Sequence, residues 1–495
     1  SLSIRFINVR RNKAMHAPHR PIIVGLFSFF MLVALAVPMT RACDDVPFAV
    51  TAQLPVGGPS LNLLTADFNN DGKADLAVTN ESQVVLFLGD GAGNFGLATT
   101  YNAGLVPRGM AVGDLDNDGR TDLVVVDLRS IAVLLNNGTG GFEAPVYYTV
   151  GEGPNAVGTG DFNGDGNTDV AVVNRDSDNV TVLLGNGTGG FDSLLHFPAG
   201  DLPYGIAIGD YDNDGKLDLA ISTYTSEEVL ILRGDGTGSF STINSYPLGG
   251  NASRIIAGDF NHDQNLDLAV GVYNVFPNNH IAVFLGHGDG TFTESAGILA
   301  PDAQGLAAAD FDGDGNLDLA STSYFVPSVV VALGDGTGSF APPRKTRLPG
   351  HPYPFGIVTA DFNSDGRPDL AISNFHIPFA TILFNIATVQ VEAIDPTASE
   401  AELSTGRFQV GRNGCLDQPQ VVQYTIGGTA RPGTDYRALS GSVTIPAGSR
   451  FAPVPVIPTG QMLQQDSATV ILTLDPDSSF LIGQKASATV VISNK

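Results

Sequence analysis

Short runs in which apolar and polar residues alternate follow one another along most of the chain. In one representative stretch the runs are Gly205–Gly209, Asp218–Ser222, Val229–Leu232 and Ile243–Leu248, with Gly, Asn and Asp between them. Alternation of this kind, in small and β-branched residues between turn residues, predicts β-strands. Helical periodicity is missing from the same stretches, so the fold class is predicted to be all-β.

This four-strand unit recurs. Each copy carries an acidic segment, first seen at residues 67–75, whose leading residues are Asp67, Asp114, Asp161, Asp210, Asp259, Asp310 and Asp361. A Gly-rich turn follows the first six segments and ends at Phe95, Phe142, Phe191, Phe240, Phe292 and Phe340. Four short strands repeated about every 50 residues are typical of propeller blades. Seven copies predict a seven-bladed β-propeller.

The seventh copy is incomplete. After Asn385 neither a Gly-rich turn nor a fourth strand follows, whereas Phe48–Gly57 resembles a fourth strand and precedes the first acidic segment. We therefore predict that the N-terminal strand completes the last blade and leaves no open sheet edge.

The acidic segments follow the pattern Asp-x-Asp/Asn-x-Asp-Gly-x-x-Asp. Side-chain oxygens at positions 1, 3, 5 and 9, with the backbone carbonyl of position 7, can converge on one hard cation, and Gly at position 6 permits the turn. Position 12 lacks the Glu of an EF-hand. The alternative is a metal-free turn rich in Asp, Asn and Gly. The candidate metal residues are Asp67, Asn69, Asp71, Lys73, Asp75, Asp114, Asp116, Asp118, Arg120, Asp122, Asp161, Asn163, Asp165, Asn167, Asp169, Asp210, Asp212, Asp214, Lys216, Asp218, Asp259, Asn261, Asp263, Asn265, Asp267, Asp310, Asp312, Asp314, Asn316, Asp318, Asp361, Asn363, Asp365, Arg367 and Asp369.

Charge is distributed unevenly along the chain. Residues 1–43 carry six basic residues and no acidic one, whereas the remainder carries 19 basic and 51 acidic residues, a formal net charge of −32. Such an acidic body repels nucleic acid and anionic membranes and attracts cations.

The basic start leads into the apolar run Ile22–Val37. A basic segment before an apolar run that is short for a membrane span predicts a secretory signal peptide over residues 1–42, and hence secretion or a cell-surface or periplasmic location without a transmembrane span in the mature chain. A retained membrane anchor is the alternative. The two cysteines, Cys43 and Cys415, leave open a bridge, lipidation of Cys43 or free thiols.

The acidic segments with their Asp-Phe-Asn-x-Asp-Gly-x-x-Asp-Leu-Ala-Val pattern, and turns such as Leu-Gly-Asp-Gly-Thr-Gly-Ser-Phe at residues 333–340, resemble FG-GAP/VCBS repeats, as in integrin α-subunit propellers. The resemblance covers about residues 46–386. It implies up to seven Ca²⁺ sites in hairpin loops on one face, with Asp67, Asn69, Asp71, Asp75 and their equivalents as ligands.

After residue 387 the acidic repeat stops, so the propeller is assigned to residues 43–387. Alternating runs at Val421–Ile426, Ser442–Ile445, Ala468–Leu474 and Ala488–Ile492 predict a β-sandwich over residues 388–495. Segments 398–400, 433–436 and 442–448 resemble a Calx-β (immunoglobulin-like) domain, a family that often binds calcium. The acidic residues Glu400 and Asp435 match that family, whereas Gln464 and Gln465 stand where an acidic pair is expected.

Known catalytic motifs for metalloproteases, serine hydrolases and nucleotide-dependent enzymes are missing from the sequence. The leading interpretation is an adhesion or ligand-binding module for an extracellular protein or glycan. A polysaccharide lyase or other hydrolytic propeller enzyme, and a propeller lectin, are the alternatives. We place the ligand on the face opposite the acidic loops, where loops carry the segment 273–280 and the residues Tyr224, Tyr324, Phe325, His351, Tyr353, Phe355, Phe375 and His376.

Overall fold

The computed structural model describes residues 48–273, 279–300, 303–350, 353–412, 419–477, 479–483 and 485–494. They lie in one compact unit, Arg41–Lys495. All regular secondary structure in these ranges is β-strand, which confirms the all-β prediction. None of the described segments forms a helix able to cross a membrane. The predicted signal peptide and both cysteines lie outside the described residues.

Strand β1 spans Phe48–Pro55, and the strands that follow it form successive antiparallel sheets of four. The first three sheets contain β2 (Leu63–Ala66), β3 (Asp75–Thr79), β4 (Gln83–Phe87) and β5 (Thr99–Asn102); β6 (Met110–Gly113), β7 (Asp122–Val126), β8 (Ser130–Leu134) and β9 (Val146–Thr149); β10 (Pro154–Gly160), β11 (Asp169–Asn174), β12 (Asn179–Gly185) and β13 (Phe191–Pro198).

The next three sheets repeat the same order. They contain β14 (Pro203–Gly209), β15 (Asp218–Thr223), β16 (Glu228–Gly234) and β17 (Phe240–Pro247); β18 (Asn251–Gly258), β19 (Asp267–Tyr273), β20 (His280–Gly286), β21 (Phe292–Glu294) and the short β22 (Ile298–Leu299); β23 (Ala303–Ala309), β24 (Asp318–Ser323), β25 (Ser328–Ala332) and β26 (Arg344–Arg347).

The seventh sheet combines both ends of the repeat region. Its strands are β27 (Pro354–Ala360), β28 (Asp369–Asn374) and β29 (Phe379–Asn385), with β1 as the fourth. Strand β1 pairs antiparallel with β29, so that Phe48 faces Asn385 and Pro55 faces Phe379. The predicted completion of the last repeat by the N-terminal strand is confirmed.

The first strand of each sheet contacts the first strand of the next, from β2 through β6, β10, β14, β18 and β23 to β27, and β27 returns to β2. We call these seven strands the inner strands. Apolar cores form between successive sheets: Phe68, Leu86, Leu123 and Phe142 join the first two. The second and third strands of a sheet are buried because another sheet covers each face. This arrangement is consistent with a β-propeller.

The chain after Asn385 forms two further sheets around one apolar core. The first contains β30 (Thr388–Asp395), β32 (Gly406–Arg412), β35 (Phe451–Val456) and β37 (Leu481–Ile482), and the second contains β31 (Thr397–Ser399), β33 (Gln420–Gly428), β34 (Ser442–Ile445), β36 (Ser467–Leu474) and β38 (Ser487–Ser493). The four alternating runs of the sequence correspond to β33, β34, β36 and β38, and the sequence did not indicate the other five.

Candidate cation sites and the opposite face

The first aspartate of each acidic loop organises the turn that follows it. In the first loop, Asp67 Oδ1 accepts the N–H of Asp71 at 3.1 Å and Asp67 Oδ2 accepts the N–H of Gly72 at 2.7 Å. The same two bonds, from the amides of positions 5 and 6, recur in the other six loops. The loop backbone is thus folded by the motif itself, in all seven copies.

Positions 3 and 5 are also tied to the backbone. Asn69 Oδ1 accepts the N–H of Asp71 at 3.0 Å, and Asp71 Oδ1 accepts the N–H of Lys73 at 3.0 Å. Equivalent bonds fix the second loop, where the position-3 acceptor is Asp116. These bonds hold the polar side chains of the loop close together. Each of the Asp side chains uses one carboxylate oxygen in these bonds and has a second one.

Position 7 contributes a basic side chain in four of the loops. The amino or guanidinium group of Lys73, Arg120, Lys216 or Arg367 pairs with the position-5 carboxylate of its own loop. These pairs are partly exposed and therefore weak. A cation bound in the loop would share or displace that oxygen, and position 7 would supply its backbone carbonyl.

The fifth loop departs from the pattern at position 6. Gln264 stands where the other six loops have Gly, and its φ is 70°, in the left-handed region that glycine adopts without strain. A side chain there costs on the order of 1 kcal/mol. The backbone turn at position 6 is therefore least favourable in the fifth of the seven loops.

Position 9 is a buried carboxylate with two fixed amide partners. Asp75 Oδ2 accepts the N–H of Phe68 at 2.8 Å, and its Oδ1 accepts the N–H of Gly89 at 2.8 Å. The other six loops make the same two bonds, to the residue after position 1 and to the start of the Gly-rich turn or its equivalent. This side chain links the acidic loop to the neighbouring turn, so both lie on one face.

Burial raises the pKa of every position-9 carboxyl. The pKa reaches about 7 in Asp318 and Asp369, where other carboxylates of the same loop add to the effect of burial. The amide donors oppose the rise but do not cancel it. A divalent cation in the loop would stabilise these carboxylates in their charged form.

We expect the calcium-free protein to gain stability as the pH falls from 8 to about 5. A carboxyl whose pKa is higher in the folded chain than its unfolded value of about 3.9 stabilises the fold when protonated, and this contribution is lost as the pH rises through about 6 to 7. Thermal melts in chelator at several pH values measure it. If the loops bind calcium, saturating calcium should reverse the slope, because protons compete with the cation. A calcium-free melting temperature that falls on acidification from pH 7 to 5.5 would contradict this explanation.

Three loops bring carboxylates from positions 1, 3 and 9 especially close together. One oxygen of each lies within 4.8 Å of the others in the groups Asp114, Asp116 and Asp122; Asp210, Asp212 and Asp218; and Asp310, Asp312 and Asp318. These are the loops with Asp rather than Asn at position 3. Oxygen-only donors at this spacing fit a hard divalent cation.

The sixth loop gives a further sign of this fit. Asp312 is buried, its Oδ2 has no hydrogen-bond partner among the described residues, and burial beside Asp314 raises its pKa to about 6. A buried carboxylate oxygen without a donor is unfavourable unless a cation meets it. This loop lines a cleft of about 410 Å³ together with the seventh loop and with Arg412, Gln420 and Ser479 of the C-terminal sheets.

Successive repeats are bonded to each other beside these loops. The N–H of Gly93 in the first turn donates to the carbonyl of Phe362 in the seventh loop at 3.0 Å, and Gly189, Gly238, Gly290 and Gly338 bond the preceding loop in the same way. Ring contacts accompany several of them, such as Phe95 with Phe362 at 5.6 Å. Each of these acidic loops is therefore bonded directly to the Gly-rich turn of the next repeat, with the seventh loop bonded to the first turn.

On the face opposite the acidic loops, aromatic rings gather around Tyr324. Its ring centroid lies 5.1 Å from Phe325, 5.1 Å from Tyr353, 6.5 Å from Phe355 and 6.3 Å from Phe375. His376 stacks on Tyr353 at 4.2 Å. We call these six residues the aromatic cluster. Six of the eight residues named individually for this face thus lie together, and Phe325 is 69% exposed.

The remaining residues of that prediction are divided. Tyr224 belongs to a second group, with Tyr204 at 6.4 Å and Tyr273 at 5.7 Å. His351 and residues 274–278 of the predicted loop lie outside the described residues. Arg108, Asn155 and Arg254, near the starts of inner strands, were not among the predicted residues, although aligning the repeats on their first Asp places all three at nearly the same position.

The two acidic residues that match the Calx-β family, Glu400 and Asp435, already have protein partners. Asp435 accepts bonds from the Arg431 guanidinium at 2.8 and 3.2 Å and from its N–H at 2.7 Å, which lowers the pKa of Asp435. Glu400 Oε2 accepts the N–H of Gly460 at 2.7 Å, while Oε1 is buried and has no partner among the residues that the structure describes. Arg431 therefore already bonds both carboxylate oxygens of Asp435, which a cation at this place would need as ligands.

Comparison with known proteins places the repeat region in context. Six overlapping segments match the FG-GAP-like repeat, over residues 67–125, 114–172, 161–221, 219–270, 272–321 and 310–372. No curated protein matches the sequence.

Several solved structures are similar at low identity. An Agrocybe aegerita lectin that recognises non-reducing terminal N-acetylglucosamine is 16% identical, with 65% of this chain and 87% of that chain covered and a TM-score of 0.45. BBS1N in complex with ARL6DN is 12% identical, with 69% of this chain and 96% of that chain covered and a TM-score of 0.48. A functionally unknown protein from Desulfotomaculum acetoxidans is 12% identical over 61% and 93%, with a TM-score of 0.44.

Proposed function

The chain belongs to the FG-GAP-like repeat family, and on that premise we propose that it is an exported, calcium-stabilised seven-bladed β-propeller that serves as an adhesion or ligand-binding module. In this proposal the seven sheets of the repeat region are the blades, over residues 43–387, and residues 388–495 form a Calx-β-like sandwich. Export follows from the basic and apolar N-terminal segment of the sequence.

The observation that carries the calcium assignment is the grouping of carboxylates in the second, fourth and sixth loops within 4.8 Å. Two carboxylates about 4 Å apart repel by about 4 kcal/mol at an effective dielectric constant near 20, and a divalent cation converts that repulsion into attraction. The remaining four loops share the same backbone bonds and offer an Asn oxygen at position 3, so they are weaker sites of the same kind.

Calcium has a structural role in this proposal. The acidic loops are bonded to the turns of neighbouring repeats, so bound cations stiffen the contacts between blades. They leave the opposite face free for an extracellular protein or glycan. The aromatic cluster provides the exposed, rigidly held rings that favour recognition there.

A paired substitution tests the placement of the ligand face. We expect Phe325→Ala with His376→Ala to weaken ligand binding at least tenfold, because aromatic anchors commonly contribute 2 kcal/mol or more. Both side chains are exposed, so the melting temperature in calcium should stay nearly unchanged. Binding is measured on an array of glycans and immobilised extracellular-matrix proteins with the calcium-loaded chain.

Leu97→Ala is the matched control, since Leu97 is 97% exposed and follows the Gly-rich turn on the acidic-loop face. If Leu97→Ala abolishes binding while the paired variant binds normally, the ligand lies on the acidic-loop face and the placement is wrong.

A further inference from the structure

We propose that the ends of the inner strands in the second to fifth repeats form a binding site for a carboxylate-bearing sugar, held by Arg108 and Arg254 beside partly exposed tyrosines. This inference deepens the proposed function, on which it rests, by naming a ligand class for the face opposite the acidic loops. It concerns residues distinct from the aromatic cluster.

The site begins with a chain of polar contacts across neighbouring sheets. Arg108 stands just before β6, and its Nη1 donates to Asn155 Oδ1 at 3.2 Å. Asn155 Nδ2 in turn donates to the carbonyl of Tyr204 at 2.7 Å. These bonds run from the second repeat through the third to the fourth, so they hold one guanidinium in a fixed position beside Tyr204.

Arg254 approaches the same tyrosine from the fifth repeat. It lies at the register shift of β18, and β18 packs beside β14, whose own register shift lies at Tyr204. The strand on the other side of β14 is β10, which carries Asn155 and, through it, holds Arg108.

Local backbone geometry explains how these side chains reach one place. The pairing register of the inner strand shifts around Asn155, around Tyr204 and around Arg254, which are bulged positions at the ends away from the acidic loops. A bulge leaves its residue unpaired and redirects the side chain. The same shift occurs at Phe355 in the seventh repeat. The bulge is therefore shared by several repeats, whereas the residue that stands at the bulge differs from one repeat to the next.

Among the described residues neither Arg108 nor Arg254 forms an ion pair with a carboxylate, although the sequence has 51 acidic residues against 25 basic ones. Burial lowers the pKa of both guanidiniums. At Arg108 the neighbouring Arg175 adds to the effect, and Asp176, which pairs with Arg175 at 2.9 Å, partly offsets it. Both arginines keep part of their surface open to solvent. A partly desolvated cation that forms no direct ion pair favours an anionic ligand.

The shape of the guanidinium and the adjacent rings decide the kind of anion. A guanidinium fork matches a carboxylate through two parallel hydrogen bonds. Tyr204, Tyr224 and Tyr273 form a continuous row with centroid separations of 6.4 and 5.7 Å, and all three are partly exposed. Asn251 Nδ2 fixes this row by donating to the Tyr224 carbonyl at 2.6 Å. Tyrosine faces next to guanidinium groups, which donate hydrogen bonds to a carboxylate, suit a uronic acid, which has an apolar ring face and a carboxylate.

Calorimetric titration of the calcium-loaded chain tests this assignment. The probes are oligosaccharides of galacturonate, glucuronate or mannuronate, each with its carboxyl-reduced neutral counterpart, at physiological salt. We expect at least one acidic oligosaccharide to bind, and its neutral counterpart to bind at least tenfold more weakly. Arg108→Gln and Arg254→Gln should each lose at least tenfold in affinity, and Arg254→Lys should recover part of the loss.

Arg129→Gln is the matched control, because Arg129 is exposed and its guanidinium already pairs with Glu152 at 3.2 Å; the affinity of this variant should not change. If Arg254→Gln melts early, Arg108→Gln carries the test. Equal binding of acidic and neutral sugars, or full affinity in both Gln variants, would overturn the inference while leaving a binding module intact. Loss of binding in chelator without any effect of the Arg variants would assign the sugar to the calcium loops instead. Binding of none of the probes would also overturn it, whereas the proposed function fails only if protein ligands are not bound either.

Discussion

Removing calcium is expected to lower the melting temperature of this protein by about 10 °C or more. A cation that binds only the folded chain adds about 2.7 kcal/mol per site at a hundredfold excess over its Kd, and three good sites together add about 8 kcal/mol. A stabilisation of 1 kcal/mol shifts the melting temperature of a domain this large by about 1 to 2 °C. Calorimetric or fluorescence melts in calcium and in chelator measure the difference.

Two substitutions make this test specific to the loops. Asp212→Ala removes a carboxylate from the close group with Asp210 and Asp218, whereas Asp263→Ala changes the fifth loop, where Gln264 is strained. In calcium, Asp212→Ala should lower the melting temperature more than Asp263→Ala. In chelator this difference should disappear. A wild-type melt that chelator leaves unchanged excludes a stabilising role for calcium.

Deleting residues 47–56 is expected to destroy cooperative folding or to cause aggregation. The deletion removes β1, so β29 loses its antiparallel partner along Phe48–Pro55 and presents an unpaired edge. It also removes Phe48, which is buried against Phe311 at a centroid distance of 5.5 Å. Phe48 occupies the place that the Phe after the Gly-rich turn fills in other repeats, such as Phe142 against Phe68.

Phe48→Ala separates the two contributions, because it keeps the strand pairing and loses only the buried ring. That variant should remain folded and lose about 3 to 5 kcal/mol, as for other buried Phe→Ala changes, while the exposed Leu97→Ala should change stability by less than about 0.5 kcal/mol. Size-exclusion chromatography and thermal melts follow all three chains. A truncated chain that stays monomeric and melts cooperatively at the wild-type temperature would show that β1 does not close the repeat region.

The repeats and their acidic loops were predictable because their information is local. Within one loop, Asp67 bonds amides only four and five residues away, so the motif determines the turn almost alone. The pairing of β1 with β29 joins residues more than 300 positions apart, and it was still predictable because the seventh repeat lacks a strand that the N-terminus supplies.

Other features depend on contacts that the motif does not encode. The two bonds of the position-9 Asp became clear only in the structure, since Gly89 lies 14 residues from Asp75. The hydrogen bonds that connect Arg108 to Tyr204 through Asn155 depend on which inner strands are neighbours and on where their registers shift. Residue spacing alone carries neither fact.

Strand prediction failed mainly in the C-terminal sheets. Strand β35 contains Pro453 and Pro455, which cannot donate to a ladder and which count against a strand in a sequence pattern. The structure places β35 at the edge of its sheet, where such residues are tolerated. In the repeats, β17 begins at Phe240 rather than at Ile243, because Phe240 pairs with Gly234 across the Gly-rich turn.

Native mass spectrometry of the purified chain, exchanged into dilute calcium and then into chelator, tests the central claim most directly. It counts the cations held by each folded molecule. We expect several calcium ions per chain and up to seven, with one fewer in Asp212→Ala and all of them lost in chelator. A folded chain that carries no calcium beyond the level of an acidic protein without these loops would contradict the assignment of the acidic loops as cation sites.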